Sequence, residues 1–157
     1  MIAADFGCGS GGWTIPLAKR LENGKVFAVD IKEEAFSALK SKARLQGVSN
    51  IREIKGNLEE GVLELRSSMF DLVLMTDLLF QLDGKDKVFK EANRVLKPKG
   101  MVLVVDWKPN TPFGPKNGCV GADEVKSIAG QAGFSLEKEL KAGDYHYALL
   151  FVKNELL

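Results

Sequence analysis

The sequence predicts an α/β fold: a doubly wound, mostly parallel seven-stranded sheet that ends in a C-terminal antiparallel hairpin. Three observations carry that expectation. Short apolar runs of strand length alternate with stretches of helical period along the whole chain, the pattern of a parallel sheet covered by helices on both faces. The first apolar run stops at a glycine cluster before the first helix. The last two runs have no helix between them, so they must pair antiparallel. With 157 residues the chain has the size of one domain, and residues 1–157 are read as one.

The elements follow in order. Met1 to Asp5 is a strand, and Gly12 to Glu22 a helix with Trp13, Leu17, Ala18 and Leu21 on one stripe. Pro16 falls in its first turn, where the missing N–H is tolerated. Lys25 to Asp30 is a strand; Glu33 to Gln46 is a helix burying Phe36, Leu39 and Ala43 and stopped by Gly47. Ile51 to Lys55 is a strand, Leu58 to Arg66 a weak helix or turn, and Phe70 to Thr76 a strand buried on both faces. Asp83 to Lys97 is a helix with Val88, Ala92, Val95 and Leu96 inward, ended by Pro98 and Gly100. Met101 to Asp106 is a strand, Ala122 to Ala132 a helix closed by Gly133, and Phe134 to Leu140 and Tyr145 to Val152 form the hairpin. Lys108 to Gly121, stiffened by Pro109, Pro112 and Pro115, is the one long irregular loop, of a length that is often functional.

Composition excludes several classes. With 22 basic and 21 acidic residues the chain shows no nucleic-acid or membrane-surface signature. Cys8 and Cys119 are far apart and form no CxxC pair, so neither a metal site nor a disulfide framework is expected, and a reducing cytoplasm is. No run approaches the about 18 apolar residues of a membrane span, and the N-terminus lacks the features of a signal peptide.

The chemistry concentrates in Asp5-Phe6-Gly7-Cys8-Gly9-Ser10-Gly11-Gly12, between the first strand and the first helix. Glycines there let the backbone turn sharply and approach a ligand, and the following helix start offers free N–H groups. Asp30 ends the second strand, where an open α/β sheet presents a carboxylate to ribose hydroxyls. Gly7, Gly9 and Gly12 also satisfy the dinucleotide pattern G-x-G-x-x-G, and a tight turn with no ligand is the bland alternative. Asp5 argues against a pyrophosphate, since a carboxylate beside the turn favours an amino group over an anion. The hairpin and the lack of a second domain point the same way.

These residues resemble the class I S-adenosylmethionine-dependent methyltransferases, which have a Rossmann-like fold. Asp5-Phe-Gly-Cys-Gly-Ser-Gly is similar to their first motif, Val29-Asp30-Ile31 to the second, Asp71-Leu-Val-Leu-Met-Thr-Asp77 to the fourth-strand motif and Leu96-Lys-Pro-Lys-Gly100 to the turn into the fifth strand. Val105-Asp-Trp-Lys-Pro and Tyr145-His-Tyr resemble small members near the ubiquinone/menaquinone type. The resemblance implies S-adenosylmethionine as cofactor and assigns its site to Asp5, Gly7, Cys8, Gly9, Gly11, Asp30, Ile31, Asn57, Leu58 and Thr76. Asp5 holds the methionine part, Gly7 and Gly9 lie against the cofactor, Asp30 accepts from the ribose, Ile31 packs on the adenine, and Asn57 and Leu58 read its edge. Family members often carry aspartate where Asn57 stands.

Methyl transfer from a sulfonium is mostly in-line positioning, so catalytic residues are ranked only by position at the carboxyl ends of the strands. Asp77 ends the fourth strand, Asp106 with Trp107 ends the fifth, and His146, the one histidine, lies inside the final hairpin. Asp77 binds or deprotonates an acceptor or, alternatively, caps the segment from Leu78; Trp107 walls the acceptor pocket or packs; His146 faces the acceptor or is structural. There is no Asn/Asp-Pro-Pro-aromatic tetrapeptide of base-amine methylation, and no Pro-Cys pair after the fourth strand for attack on a pyrimidine. The combined motifs of the resemblance imply an enzyme with a small-molecule methyl acceptor as its partner. Family members usually carry helices before the first strand, whereas Met1 already lies in it here. That leaves a fragment, or a minimal enzyme whose cover comes from a partner subunit or an oligomer. Two other readings stay open: a non-catalytic cofactor-binding or scaffold domain, and, less favoured, an NAD-dependent oxidoreductase.

Overall fold

The glycine cluster, the β-branched runs and the helical stripes produce one mixed sheet of seven strands. The structure, a computed structural model, describes residues 1–155. The strands are β1 (Ile2–Phe6), β2 (Lys25–Asp30), β3 (Ile51–Lys55), β4 (Phe70–Thr76), β5 (Leu96–Trp107), β6 (Phe134–Lys141) and β7 (His146–Lys153). The helices are α1 (Thr14–Arg20), α2 (Glu33–Leu45), α3 (Lys85–Val95) and α4 (Ala122–Gln131). The spatial order is β3-β2-β1-β4-β5-β7-β6. The first five strands run parallel, and β7 is antiparallel to both β5 and β6. The expected hairpin is present, with its second strand inserted between the first and the parallel body. Strand order reverses between β1 and β4, and it is outside the carboxyl ends at such a reversal that open α/β sheets bind ligands.

The two faces of the sheet are packed unequally. Val73 and Met75 of β4, Val102 and Val104 of β5, and Leu149 and Phe151 of β7 are buried in one cluster with Val88, Phe89, Ala92 and Val95 of α3 and Val125 and Ala129 of α4. On the other face a smaller cluster joins Ile15 of α1, Phe36 and Leu39 of α2, Ala28 of β2 and Cys8. Because successive strand residues alternate between faces, Leu72, Leu103 and Leu150 fall on this second face, beyond α1 and α2. They are only half-buried.

Several expected boundaries shift, each for a local reason. The first helix starts at Thr14 and not at Gly12. The turn before it holds Gly11 at φ +92°, and a Cβ there would come within 2.4 Å of Leu39 Cδ1. At its other end Leu21 has left helical geometry at ψ 52°. No helix forms over Leu58 to Arg66; the segment is a series of turns, with Gly61 at φ +86°. The third helix ends at Val95 because Pro98 disfavours helical geometry in the residues before it. The fifth strand accordingly starts at Leu96 and not at Met101. It pairs Leu96 with Phe70 and, after a register shift, Met101 with Leu72.

Candidate functional site

The Asp5–Gly12 motif folds as a turn closed almost wholly by its own amides. Gly7 N–H and Cys8 N–H both donate to Val29 O (2.8 and 3.0 Å), and Gly11 N–H donates to Cys8 O (3.1 Å). Gly9 N–H donates to Asp30 Oδ2 (2.9 Å), while the other oxygen of Asp30 accepts from Lys32 N–H (3.0 Å). A dinucleotide pyrophosphate is held by free amides in such a turn. Here the amides of Gly7, Cys8, Gly9 and Gly11 are already engaged, which argues against that ligand. Gly7 is at φ +74°, and a Cβ on it would lie 2.6 Å from Leu78 Cδ1, so a side chain there would collide with the start of the segment after β4.

Beneath the turn lies Asp5, 1% exposed. Its Oδ2 accepts from Thr14 Oγ1 at 2.6 Å, whereas Oδ1 has no hydrogen-bond partner among the described residues. Burial pushes its carboxyl up to about 6; the Thr14 bond opposes this and the charge of Asp30 adds to it. A buried carboxylate oxygen left unpaired is costly.

A cleft of about 420 Å³ opens above the turn, lined by Gly7, Gly9, Asp30, Ile31, Asn57 and Leu58 among others. Six of the residues expected from sequence therefore meet around one cavity. Cys8 does not line it: its thiol is buried against Ile15, Phe36 and Leu39, and desolvation pushes its pKa far up. Gly11 packs beneath Leu39, Asp5 lies under the turn, and Thr76 is buried at the end of β4. Sequence reasoning missed Lys32, Ala35, Gly56, Glu59, Leu78, Gln81 and Leu82, which complete the wall. The last three come from the loop and short 3-10 turn (Leu79–Gln81) after β4, a segment with no motif of its own.

The three acceptor-side candidates also converge. Trp107 and His146 are paired across β5 and β7, their ring centroids 4.1 Å apart. His146 Nε2 lies 3.1 Å from Asp77 Oδ1. The capping role open to Asp77 belongs instead to Asp106, whose Oδ2 accepts from Leu78 N–H (3.1 Å) and Leu79 N–H (2.8 Å). Asp106 also accepts from Trp107 N–H, and burial raises its pKa. Asp77 sits at φ +49°, a left-handed conformation that costs a non-glycine residue about 1 kcal/mol or more. Its side chain is 48% exposed, and a polar contact so open to solvent contributes at most about 1 kcal/mol. Stability alone thus does not account for the arrangement. A second cavity, also of about 420 Å³, is lined by Asp77, His146, Trp13, Val105 and Lys141. The two cavities adjoin at Asp77 and Leu78. Among the described residues no cluster of His, Cys, Asp or Glu could hold a metal ion, and no helix is long and apolar enough to cross a membrane.

The cleft at the reversal point, the glycine turn and the two acidic groups Asp5 and Asp30 thus meet at the carboxyl ends of β1 and β2 of a mixed α/β sheet. Comparison with known proteins gives the family. Residues 3–100 match the family described as "Methyltransferase domain", and the chain belongs to it. It is 32% identical over 113 residues to the demethylmenaquinone methyltransferase of Geobacillus stearothermophilus, covering 71% of this chain and 47% of that protein. It is 33% identical over 119 residues to that of Bacillus mycoides (strain KBAB4), covering 75% and 49%. The chain thus spans about half the length of these relatives. A SAM dependent methyltransferase from Aquifex aeolicus superposes with a TM-score of 0.88 at 27% identity, over 97% of this chain and 81% of that one. The [4+2]-cyclase SpnF superposes with a TM-score of 0.83 at 17% identity, over 98% and 74%, a likeness of fold alone.

Proposed function

We propose that this chain binds S-adenosylmethionine in the cleft between the glycine turn and Asp30 and transfers its methyl group to a small-molecule acceptor. The unpaired Oδ1 of buried Asp5 carries the reading. A carboxylate in that position requires a cation, and the amino group of the methionine part supplies one. Asp30 has lone pairs left beyond its two backbone bonds and accepts from the ribose hydroxyls. Ile31, 55% exposed at the cleft, offers an apolar face to the adenine, and Asn57 and Leu58 stand opposite for its edge. When bound, the cofactor supplies an electrophilic methyl group on a sulfonium. The protein's share is to hold that group at the Asp77–Leu78 junction, facing the second cavity, and to fix the acceptor in line. The names of the two relatives support a small acceptor over a macromolecular one. The free thiols Cys8 and Cys119 fit a reducing cytoplasm.

Calorimetric titration with S-adenosylmethionine, S-adenosylhomocysteine and NAD tests the cofactor assignment. Saturable binding of the two sulfur compounds is expected, absent for NAD and weakened about tenfold or more by Asp30→Ala. NAD binding, or indifference to Asp30→Ala, would overturn it. Turnover with an acceptor then separates an enzyme from a cofactor-holding scaffold.

A further inference from the structure

The segment that follows β3 is tied down along its length. Gly56 N–H donates to Asp30 O (3.0 Å) and Glu60 N–H to Asn57 O (3.1 Å). The Glu59 side chain reaches the start of α3, where its Oε2 accepts from Gly84 N–H (2.8 Å). Further along, Val62 N–H donates to Oε1 of Glu91 (3.0 Å), a buried carboxylate paired with Arg94. Arg94 in turn donates to Val62 O (3.2 Å). This wall of the first cleft is therefore preorganised, with its polar groups set before a ligand arrives.

Within it the Asn57 side chain closes an Asx turn by accepting from Glu59 N–H at 3.0 Å. A backbone N–H requires an oxygen, so the atom facing Glu59 is Oδ1 and the other is the Nδ2 donor. Nδ2 has no partner among the described residues, and Asn57 lines the cleft. Leu58 N–H likewise has no acceptor among the described residues. The wall thus offers free donors to a base, while its oxygens are largely spent. Oδ1 is held by Glu59 N–H, Asn57 O by Glu60 N–H, and one oxygen of Glu59 by Gly84 N–H. The lone pair left on Oδ1 stands beside the Nδ2 hydrogens, so an amino group at Asn57 gains an acceptor and meets a donor together.

We propose that Asn57 sets the base selectivity of the cleft, which reads a purine through its ring nitrogens and leaves the 6-amino group of adenine unselected. The cleft then takes a purine cofactor with hydrogen at position 6 nearly as well as one with an amino group. This deepens the reading of the cleft as the cofactor site and rests on it. Sharp discrimination arises when the wrong ligand leaves groups of the site unpaired. Here the oxygen that an amino group would use is already satisfied within the turn, so loss of that group orphans nothing. Ring nitrogens accept from the free donors in either case. Asn57→Asp supplies the missing selectivity. Aspartate keeps an oxygen for Glu59 N–H, so the turn persists, and it replaces the Nδ2 donor with a charged acceptor.

The test is calorimetric titration with S-adenosylhomocysteine and with its analogue in which hydrogen replaces the 6-amino group. The wild-type protein is expected to bind the two within about threefold of one another. A larger loss for the analogue would show that the amino group is read, by Asn57 Oδ1 or by Glu59, and would overturn the proposal. In Asn57→Asp the amino compound should be favoured by about tenfold or more, the contribution of one charge-assisted hydrogen bond. An unchanged ratio in that variant would overturn the assignment to Asn57. Taking the ratio cancels any change at the ribose or methionine end, and the wild-type ratio stands whatever the stability of the variant. Binding of neither compound to the folded wild-type chain would instead remove the cofactor reading on which the proposal rests.

Discussion

Asp5→Asn separates what the fold needs from what the ligand needs. In the folded protein the Asp5 carboxyl titrates at about 6, against 3.8 when unperturbed, with burial as the main cause. Between those values the folded chain binds more protons than the unfolded one, so stability falls as pH rises through the window. The stabilisation is fully present below about 3.8 and is lost above about 6. Each pH unit of displacement is worth about 1.4 kcal/mol, so the ionised Asp5 costs the unliganded protein on the order of 3 kcal/mol at neutral pH. Asparagine removes that cost and keeps an oxygen for Thr14, but buries an NH2 where Oδ1 now stands, at about 1–3 kcal/mol. The net change at neutral pH is therefore small or stabilising by up to about 2 kcal/mol.

The pH dependence is the sharper measure. In urea unfolding at pH 4 and pH 7, the stability difference should move in the variant's favour by about 2–3 kcal/mol as pH rises. Binding of S-adenosylhomocysteine should fall by at least about a hundredfold, because a buried ion pair loses one partner. Equal destabilisation of the variant at both pH values, with binding unchanged, would refute the reasoning.

Two further substitutions test the framework around the cleft. Gly11→Ala forces a Cβ into Leu39, which is fully buried, from a backbone at φ +92°; a loss of about 2 kcal/mol, seen as a fall in Tm of about 4–8 °C, is expected. Asp106→Ala strips the shared acceptor from Leu78, Leu79 and Trp107; the midpoint of urea unfolding should fall by the equivalent of about 1–3 kcal/mol, and an unchanged midpoint would show that this cap is dispensable.

How much of this was legible in the sequence depended on the range of the interaction. The strands were, because apolar runs such as Val26 to Val29 and Val73 to Met75 state their burial locally. So was the glycine turn with Asp5 and Asp30, since it reaches only from one strand end to the next. Helix ends were harder, because Gly11 is placed by packing on Leu39 and not by a local stop signal. The acceptor side was legible only as separate candidates. His146 meets Trp107 because β7 inserts beside β5, and no local pattern announces that register. The cap from Asp106 to Leu78 and Leu79 likewise joins two strand ends that only the folded sheet brings together. It also frees Asp77 from the role its sequence position suggested.

The most direct measurement of the central claim is a map of backbone amide shifts by NMR as S-adenosylhomocysteine is added. The account predicts shifts concentrated at Gly7, Gly9, Ile31, Asn57 and Leu58, spreading to Leu78 and leaving the β6–β7 turn at Ala142 to Asp144 nearly unmoved. Saturable binding with shifts centred elsewhere, or no shifts in a folded chain, would contradict it.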